Sequence, residues 1–280
     1  MAWRPLQPTS IELDYYRDIK DVVDIQTRAW MKYSGILPAG DERADGFSDE
    51  MDRFFRAVWD EINPWFAMDV FSRRFADTQL FNWRNWRNQV KAGTKYELPA
   101  VQPASEKGMQ RLYNEWVDTN VSRIKGFLEQ RDDVLRDKVF QAVTTGRSRK
   151  QLINDILPSV RVLNEISGTN LTAYQRADLI ATDQILTANA QLTDQRMRNA
   201  GVKYYIWRGM DDGRERPSHV ALNDHYFRVD RQPMTKKDFK IVGVAGPETP
   251  GSEIAPGVPI RCRCYAQADF KGSDFDFGED

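Results

Sequence analysis

The fold is decided by a change from a helical to a strand-like residue pattern within residues 172–207, TAYQRADLIATDQILTANAQLTDQRMRNAGVKYYIW. Thr172 and Gln175 form a capping box, which marks the start of a helix. No helix breaker follows before Gly201, so we predict one helix over residues 173–200, about 42 Å long. A narrow stripe of mostly small residues would let a neighbouring helix approach closely: Ala173, Ala177, Ile180, Ala181, Ile185, Ala188 and Leu192.

The pattern changes after Gly201. Residues 204–207 form a short β-prone run, and glycine and proline become frequent from there to residue 259. This pattern is typical of short strands joined by turns. The sequence therefore predicts an α+β protein, with a helical N-terminal portion through about residue 200 and a small β-rich C-terminal domain.

Helical patterns also precede residue 172. Apolar residues recur at helical spacing from Leu112 to Val143, up to a plausible stop at Gly146, and a second capping box begins at Ser148. Residues 93–104 contain one glycine and two prolines without a sustained apolar period, which indicates a connection. An earlier helical pattern reaches Pro64, where we expect the proline to break or restart the helix.

Residues 49–90 are dense in large aromatic side chains, among them Trp59, Trp65, Trp83 and Trp86. Packing between helices is the first interpretation, because aromatic rings dominate core burial. A docking surface is the second, since Trp and Arg are favoured at interfaces. Base stacking is a weaker third. The candidate partner-binding residues are Trp59, Trp65, Trp83, Arg84, Trp86 and Arg87.

The composition is that of a folded protein without a strong overall electrostatic field. Lys and Arg number 40 against 41 Asp and Glu, a formal net charge of -1, so any contact with DNA must be local. No run of about 18 apolar residues and no N-terminal apolar stretch occurs, so we expect no membrane segment and no signal peptide. We expect the protein to stay in the cytoplasm where it is made.

The two cysteines and two histidines of the chain all fall in the last third: His219, His225, Cys262 and Cys264. Sulfur and imidazole are ligands of tetrahedral Zn²⁺, so these four residues are a candidate metal site. Alternatively, Cys262 and Cys264 are small buried groups on one face of a strand and His219 orders a turn. Cysteines two positions apart in an extended chain lie about 6.6–6.8 Å apart at Cα, which disfavours a disulfide.

Three further interpretations concern the same region. A catalytic Cys–His pair lacks a visible third orienting group. Asp211, Asp212 and Glu215 could form a metal-nuclease cluster, but pairing with Arg208, Arg214 and Arg216 is the preferred interpretation. Arg261 and Arg263 alternate with the cysteines and form the opposite face, either a solvated one or a contact for phosphate or an acidic partner.

Residues 176–227 followed by PGVPIRCRC resemble the C-terminal domain of the phage Mu F-like and SPP1-type minor head proteins. The similarity extends over roughly residues 110–270. In that family a long helix leads to a strand with a Trp, an Asp, an Arg-Pro-x-His, and finally Pro-x-x-Cys-Arg-Cys. The matching residues here are Trp207, Asp212, Arg214, Arg216, Pro217, His219, Cys262, Arg263 and Cys264.

The resemblance implies a structural role without catalytic residues: a minor component of the virion, inside the head at the portal vertex. The implied partners are the portal protein, the major capsid or scaffolding protein, and packaged double-stranded DNA. The rival hypotheses are a metal-dependent hydrolase or nuclease at the His/Cys/Asp cluster, and a DNA-binding module. We divide the chain into an aromatic-rich helical region (1–104), a long-helix region (105–200), the Mu F-like domain (201–270) and an acidic tail (271–280).

Overall fold

The computed structural model describes residues 4–38, 47–103, 105–156, 170–211, 213, 215–229 and 255–271. Helices dominate it, and a small sheet follows them, so the predicted α+β class is confirmed. The helices are α1 (Thr9–Lys32), α2 (Phe47–Phe66), α3 (Val70–Thr94), α4 (Met109–Thr144), α5 (Arg149–Gln151), α6 (Ala173–Asn199) and α7 (Pro217–Val220), with a 3₁₀ turn at Ser34–Ile36 and a π turn at Leu152–Ile156.

The described strands form one antiparallel sheet. They are β1 (Tyr204–Arg208), β2 (Tyr226–Arg228) and β3 (Tyr265–Asp269), in the order β2-β1-β3. Tyr205 lies opposite Phe227 on one side of β1 and opposite Ala268 on the other. Because successive side chains of a strand point to opposite faces, these three residues share one face, and all three are buried.

The helix boundaries confirm most of the predicted signals. The capping boxes at Ser148 and Thr172 both form. Gly146 and Gly201 adopt left-handed φ values of 71° and 64° after the ends of α4 and α6, which is the usual role of a glycine beyond a helix C-terminus. Pro64 is different: α2 continues through it to Phe66. Pro64 cannot donate to the carbonyl group of Asp60 and its ring crowds that carbonyl, and the helix ends two residues later.

The chain packs into two compact units, each made of separate segments. The first contains residues 1–12, 72–117 and 182–280, and the second contains residues 13–71 and 118–181. The division into four consecutive regions at residues 104, 200 and 270 stays a prediction. Among the residues that the structure describes, no helix is both long enough and apolar enough to cross a membrane.

The core of the first unit forms on the inner face of the sheet. Tyr205, Trp207 and Phe227 from the strands pack with Trp83 and Trp86 of α3. The ring of Trp86 also lies against Phe270, with 5.8 Å between centroids. The side-chain amide of Gln89 donates to the Ala266 carbonyl and accepts from the Ala268 amide, so α3 is bonded directly to β3. Core packing is therefore the correct interpretation for Trp83 and Trp86.

A buried ion pair also belongs to the first unit. The guanidinium group of Arg196 on α6 donates to both carboxylate oxygens of Glu106, with Nε–Oε1 and Nη2–Oε2 distances of 3.0 Å. Arg196 also donates to Asn82 and lies over the ring of Trp83. Its side chain is fully buried, and that of Glu106 is 11% exposed. The ion pair links Glu106, in the segment that precedes α4, to the C-terminal part of α6.

A buried carboxylate organises the second unit. Asp132 on α4 accepts hydrogen bonds from the indole N–H groups of Trp30 and Trp59 and from the Gln26 amide, each at 2.9 Å. The neighbouring Arg131 is also buried, and its guanidinium group lies over the ring of Trp30. Three donors from two other helices thus converge on one side chain of α4.

The same carboxylate makes a pH dependence testable. Burial raises the pKa of Asp132 to about 7, although the hydrogen bonds from Trp30 and Trp59 oppose the rise. The ordinary value is about 3.9, so the folded protein holds a proton that the unfolded chain releases. We therefore expect the free energy of unfolding to fall as pH rises from about 4 to about 7. Urea unfolding of wild type and Asp132→Asn across this range checks it; equal pH slopes for the two would contradict it.

Candidate metal centre

Three short segments of the first unit bring the candidate ligands together. β1 places Trp207 in the core, and α7, which begins with Pro217 at its first turn, presents His219 beside it. The indole and imidazole rings meet edge to face, with 5.5 Å between centroids. The third segment leads into β3 and carries Cys262 and Cys264.

The two sulfur atoms converge on one ring nitrogen of His219. The Nδ1 atom lies 3.4 Å from Sγ of Cys262 and 3.6 Å from Sγ of Cys264. All three residues are buried, with exposed fractions of 2%, 3% and 6%. Both cysteines are free thiols, which agrees with the expectation that they form no disulfide. The donor set of one imidazole and two sulfurs is suited to Zn²⁺.

The two thiols have opposite acidities. The pKa of Cys262 is lowered, first because the Cys264 thiol donates a hydrogen bond to it, and then because His219 and the Gly257 amide also stabilise the thiolate against the cost of burial. The pKa of Cys264 is raised by the same thiol–thiol hydrogen bond and by burial. Cys262 is therefore the more acidic thiol of the pair.

The structure does not bring His225 into this cluster. Its side chain is half-buried, and Nδ1 lies 2.7 Å from the Asn223 carbonyl oxygen. Among the described residues, the group that could hold a metal contains His219, Cys262 and Cys264. Asp212 and Arg214 lie outside the described residues.

The acidic residues near this site have partners other than the predicted ones. Asp211 forms an ion pair with Arg4 at 2.7 Å, and Arg208 pairs with Asp224. The Glu215 carboxylate accepts a hydrogen bond from the Asp211 amide. Asp211 thus pairs with Arg4 of the N-terminal segment, and its predicted pairing with Arg214 lies outside the described residues. Sequence spacing gave no signal of that long-range contact.

The remaining motif residues support the backbone of the same region. Arg216 donates to the carbonyl oxygen of Ile260, which joins the start of α7 to the segment before the cysteines. Arg263 is half-buried between the two buried cysteines, and Arg261 is exposed. Burial thus alternates from Arg261 to Cys264, but Arg261 adopts a left-handed φ of 54° in a turn, so a shared strand face for the two arginines stays a prediction.

The candidate partner-binding residues occupy different environments. Trp65, Trp83 and Trp86 are buried, with exposed fractions of 4–5%. Trp59 is half-buried and donates to Asp132, and Arg87 is half-buried and donates to the Leu98 carbonyl. Arg84 alone of the six is exposed. The three buried rings do not offer a surface to a partner in the folded units.

Fold and site together define an α+β protein with a buried His–Cys–Cys cluster beside a small antiparallel sheet. Residues 133–267 match the family model described as Phage Mu protein F like protein. The resemblance drawn from the motif is therefore confirmed: over these residues the chain is similar to the phage Mu F-like family.

One curated relative, from Haemophilus influenzae and described as an uncharacterized protein, is 30% identical over 145 residues. The aligned part is 52% of this chain and 26% of the relative, so the chain spans about a quarter of that protein's length. No solved structure matches the chain.

Proposed function

We propose that this protein is a minor head protein of a tailed bacteriophage, bound to the portal or inner capsid and acting in head morphogenesis or DNA delivery. The match of residues 133–267 to the Mu F-like family carries the proposal. The partners we propose are the portal protein first, then the major capsid or scaffolding protein and packaged double-stranded DNA. The proposed location is the virion, inside the head at the portal vertex.

The burial of the family motif supports a structural role. Trp207, His219 and both cysteines lie inside the first unit rather than in an open cleft. They therefore specify the fold of the domain, and contacts with other head proteins must use its outer surface. That the protein is not an enzyme stays a prediction, which a hydrolase or nuclease assay of the metal-loaded protein tests.

The exposed side of α3 is the part of the aromatic-rich segment that can meet a partner. Arg84 is exposed and Leu80 is 46% exposed one helical turn before it. Residues four apart on a helix share one face, so these side chains form a mixed apolar and basic stripe. Arg and apolar side chains together are typical of protein–protein contacts. We place the portal contact on this stripe.

Native mass spectrometry of this chain co-expressed with the portal protein of the same genome tests the proposal. We expect a discrete complex with a fixed number of copies per portal ring. Arg84→Glu should weaken it at least tenfold, which corresponds to about 1.4 kcal/mol. The matched control is Lys107→Glu, an equal charge reversal at another exposed position of the same unit.

Two outcomes would count against this assignment. Clean separation of the wild-type chain from the portal at physiological salt would contradict portal binding. Equal binding by Arg84→Glu and Lys107→Glu would remove the α3 stripe as the contact. If the portal does not bind, DNA affinity measured against salt concentration decides the DNA-binding alternative, because phosphate contacts weaken steeply as salt rises.

A further inference from the structure

We propose that His219, Cys262 and Cys264 bind a Zn²⁺ ion through the imidazole Nδ1 and two thiolates, and that this ion holds the β-rich part of the domain together. The inference is independent of the proposed virion role, because it depends on the arrangement of three side chains.

The distances between the ligand atoms fit a tetrahedral zinc site. Zn–S bonds of about 2.3 Å and Zn–N bonds of about 2.0–2.1 Å place nitrogen and sulfur roughly 3.5 Å apart at a tetrahedral angle. The Nδ1 atom of His219 lies 3.4 Å and 3.6 Å from the two sulfurs. A ring nitrogen has one in-plane direction for a hydrogen bond, so it cannot bond both sulfurs well. A shared metal ion accounts for both distances at once.

Charge also favours a divalent ion at this position. Zn²⁺ takes deprotonated cysteines and neutral histidine as ligands. Two thiolates and one neutral imidazole around Zn²⁺ give zero net charge, which suits a site whose three residues are at most 6% exposed. Two thiolates without a cation would repel each other in the same surroundings.

The backbone around Cys262 is shaped to stabilise a thiolate. The Gly257 amide donates to Sγ of Cys262 at 3.3 Å. Gly257 has φ +88°, and a Cβ atom at that position would lie 2.9 Å from Cβ of Ala190. Glycine is thus needed both for the backbone conformation and for the close approach to α6. The ring of Trp207 packs edge to face with the imidazole ring of His219.

The ion would close a long loop of the chain. His219 and Cys262 are 43 residues apart, and the described segments between them hold one three-residue strand. A cross-link between such distant positions removes much of the entropy of the unfolded chain. Both cysteines also line a cavity together with Gln7 and Asn189, and we assign the fourth ligand position to a water molecule from it.

Metal analysis of the full chain purified under reducing conditions tests the site. We expect one zinc per chain by native mass spectrometry. Replacement with Co²⁺ should give the intense thiolate-to-cobalt absorption and the visible bands of a tetrahedral site, a readout that needs no variant. Chelation should lower the melting temperature, and added Zn²⁺ should restore it.

Paired variants assign the ligands. Cys262→Ser and Cys264→Ser are expected to lose zinc, whereas His225→Ala, which changes the nearby histidine outside the cluster, should keep one equivalent. The proposal is overturned if reduced wild-type protein, incubated with excess Zn²⁺ and desalted, retains well under one equivalent and gives no thiolate–cobalt bands. That result would leave a buried cysteine–histidine hydrogen-bond cluster, and it would not affect portal binding.

Discussion

Asp132→Ala is expected to lower the free energy of unfolding by about 3–5 kcal/mol. The substitution leaves the indole N–H groups of Trp30 and Trp59 and the Gln26 amide without their acceptor inside the second unit. Each buried donor left without a partner costs about 1–3 kcal/mol. Above about pH 7, where Asp132 ionises, the substitution also removes the negative charge beside the buried guanidinium group of Arg131.

Chemical denaturation of three variants separates this effect from a general loss of charge on α4. Asp133→Ala removes the adjacent but exposed carboxylate and should change stability by less than about 0.5 kcal/mol. Asp132→Asn keeps the shape of the side chain and one acceptor oxygen, so its loss of stability should fall between those of Asp132→Ala and Asp133→Ala. If Asp132→Ala and Asp133→Ala unfold at the same denaturant concentration, the carboxylate does not organise the unit.

Arg196→Ala is expected to have a comparable effect on the first unit, also about 3–5 kcal/mol. Glu106 would keep its carboxylate in a site that is 11% exposed, without the two-pronged guanidinium contact that compensates its burial. The ring of Trp83 and the amide of Asn82 would also lose their contacts with the guanidinium group.

An exposed pair of the same residue types provides the comparison. Arg111 and Glu115 are 60% and 55% exposed and pair at 2.9 Å, so Arg111→Ala should cost less than about 1 kcal/mol. Adding Glu106→Gln to Arg196→Ala should restore part of the stability, because the uncompensated charge is then gone. Equal losses of unfolding free energy in Arg196→Ala and Arg111→Ala would show that burial does not make the Arg196–Glu106 pair more stabilising than the exposed one.

Sequence periodicity was enough to predict the long helices because their signals are local. Every residue of the stripe from Ala173 to Leu192 is buried, and the capping boxes form where they were expected. Phe140 is an exception: it follows the apolar period of α4 but is 54% exposed and meets the ring of Phe47. Apolar periodicity predicts burial reliably for residues at the centre of a helix's apolar stripe. It predicts burial less well for residues at the edge of that stripe.

The helix α1 had a signal that the sequence analysis did not use. Tyr15, Ile19, Val22 and Val23 recur at helical spacing and are all buried. The buried polar groups could not be predicted in the same way. Asp132 and Arg196 are charged residues within helices, where the ordinary expectation is exposure. Their burial depends on partners 73 to 114 positions away in the chain.

The candidate site was predicted in part, for a similar reason. Residue chemistry selected His219, Cys262 and Cys264 correctly as a possible group, and it also selected His225, which faces the Asn223 carbonyl. Position in the fold decides between the two histidines: α7 turns His219 into the core, whereas His225 precedes the edge strand β2. Composition alone contains no information about that difference.

The segmented first unit limits how this gene can exchange parts with related genes. A crossover that replaced only residues 201–280 would bring in a foreign β3 to meet the resident Gln89 and a foreign loop to meet the resident Arg4. The resident Trp86 would face an unfamiliar residue in place of Phe270. Recombinants that remain functional should therefore inherit residues 1–12, 72–117 and 182–280 from one parent, or carry compensating changes in all three segments.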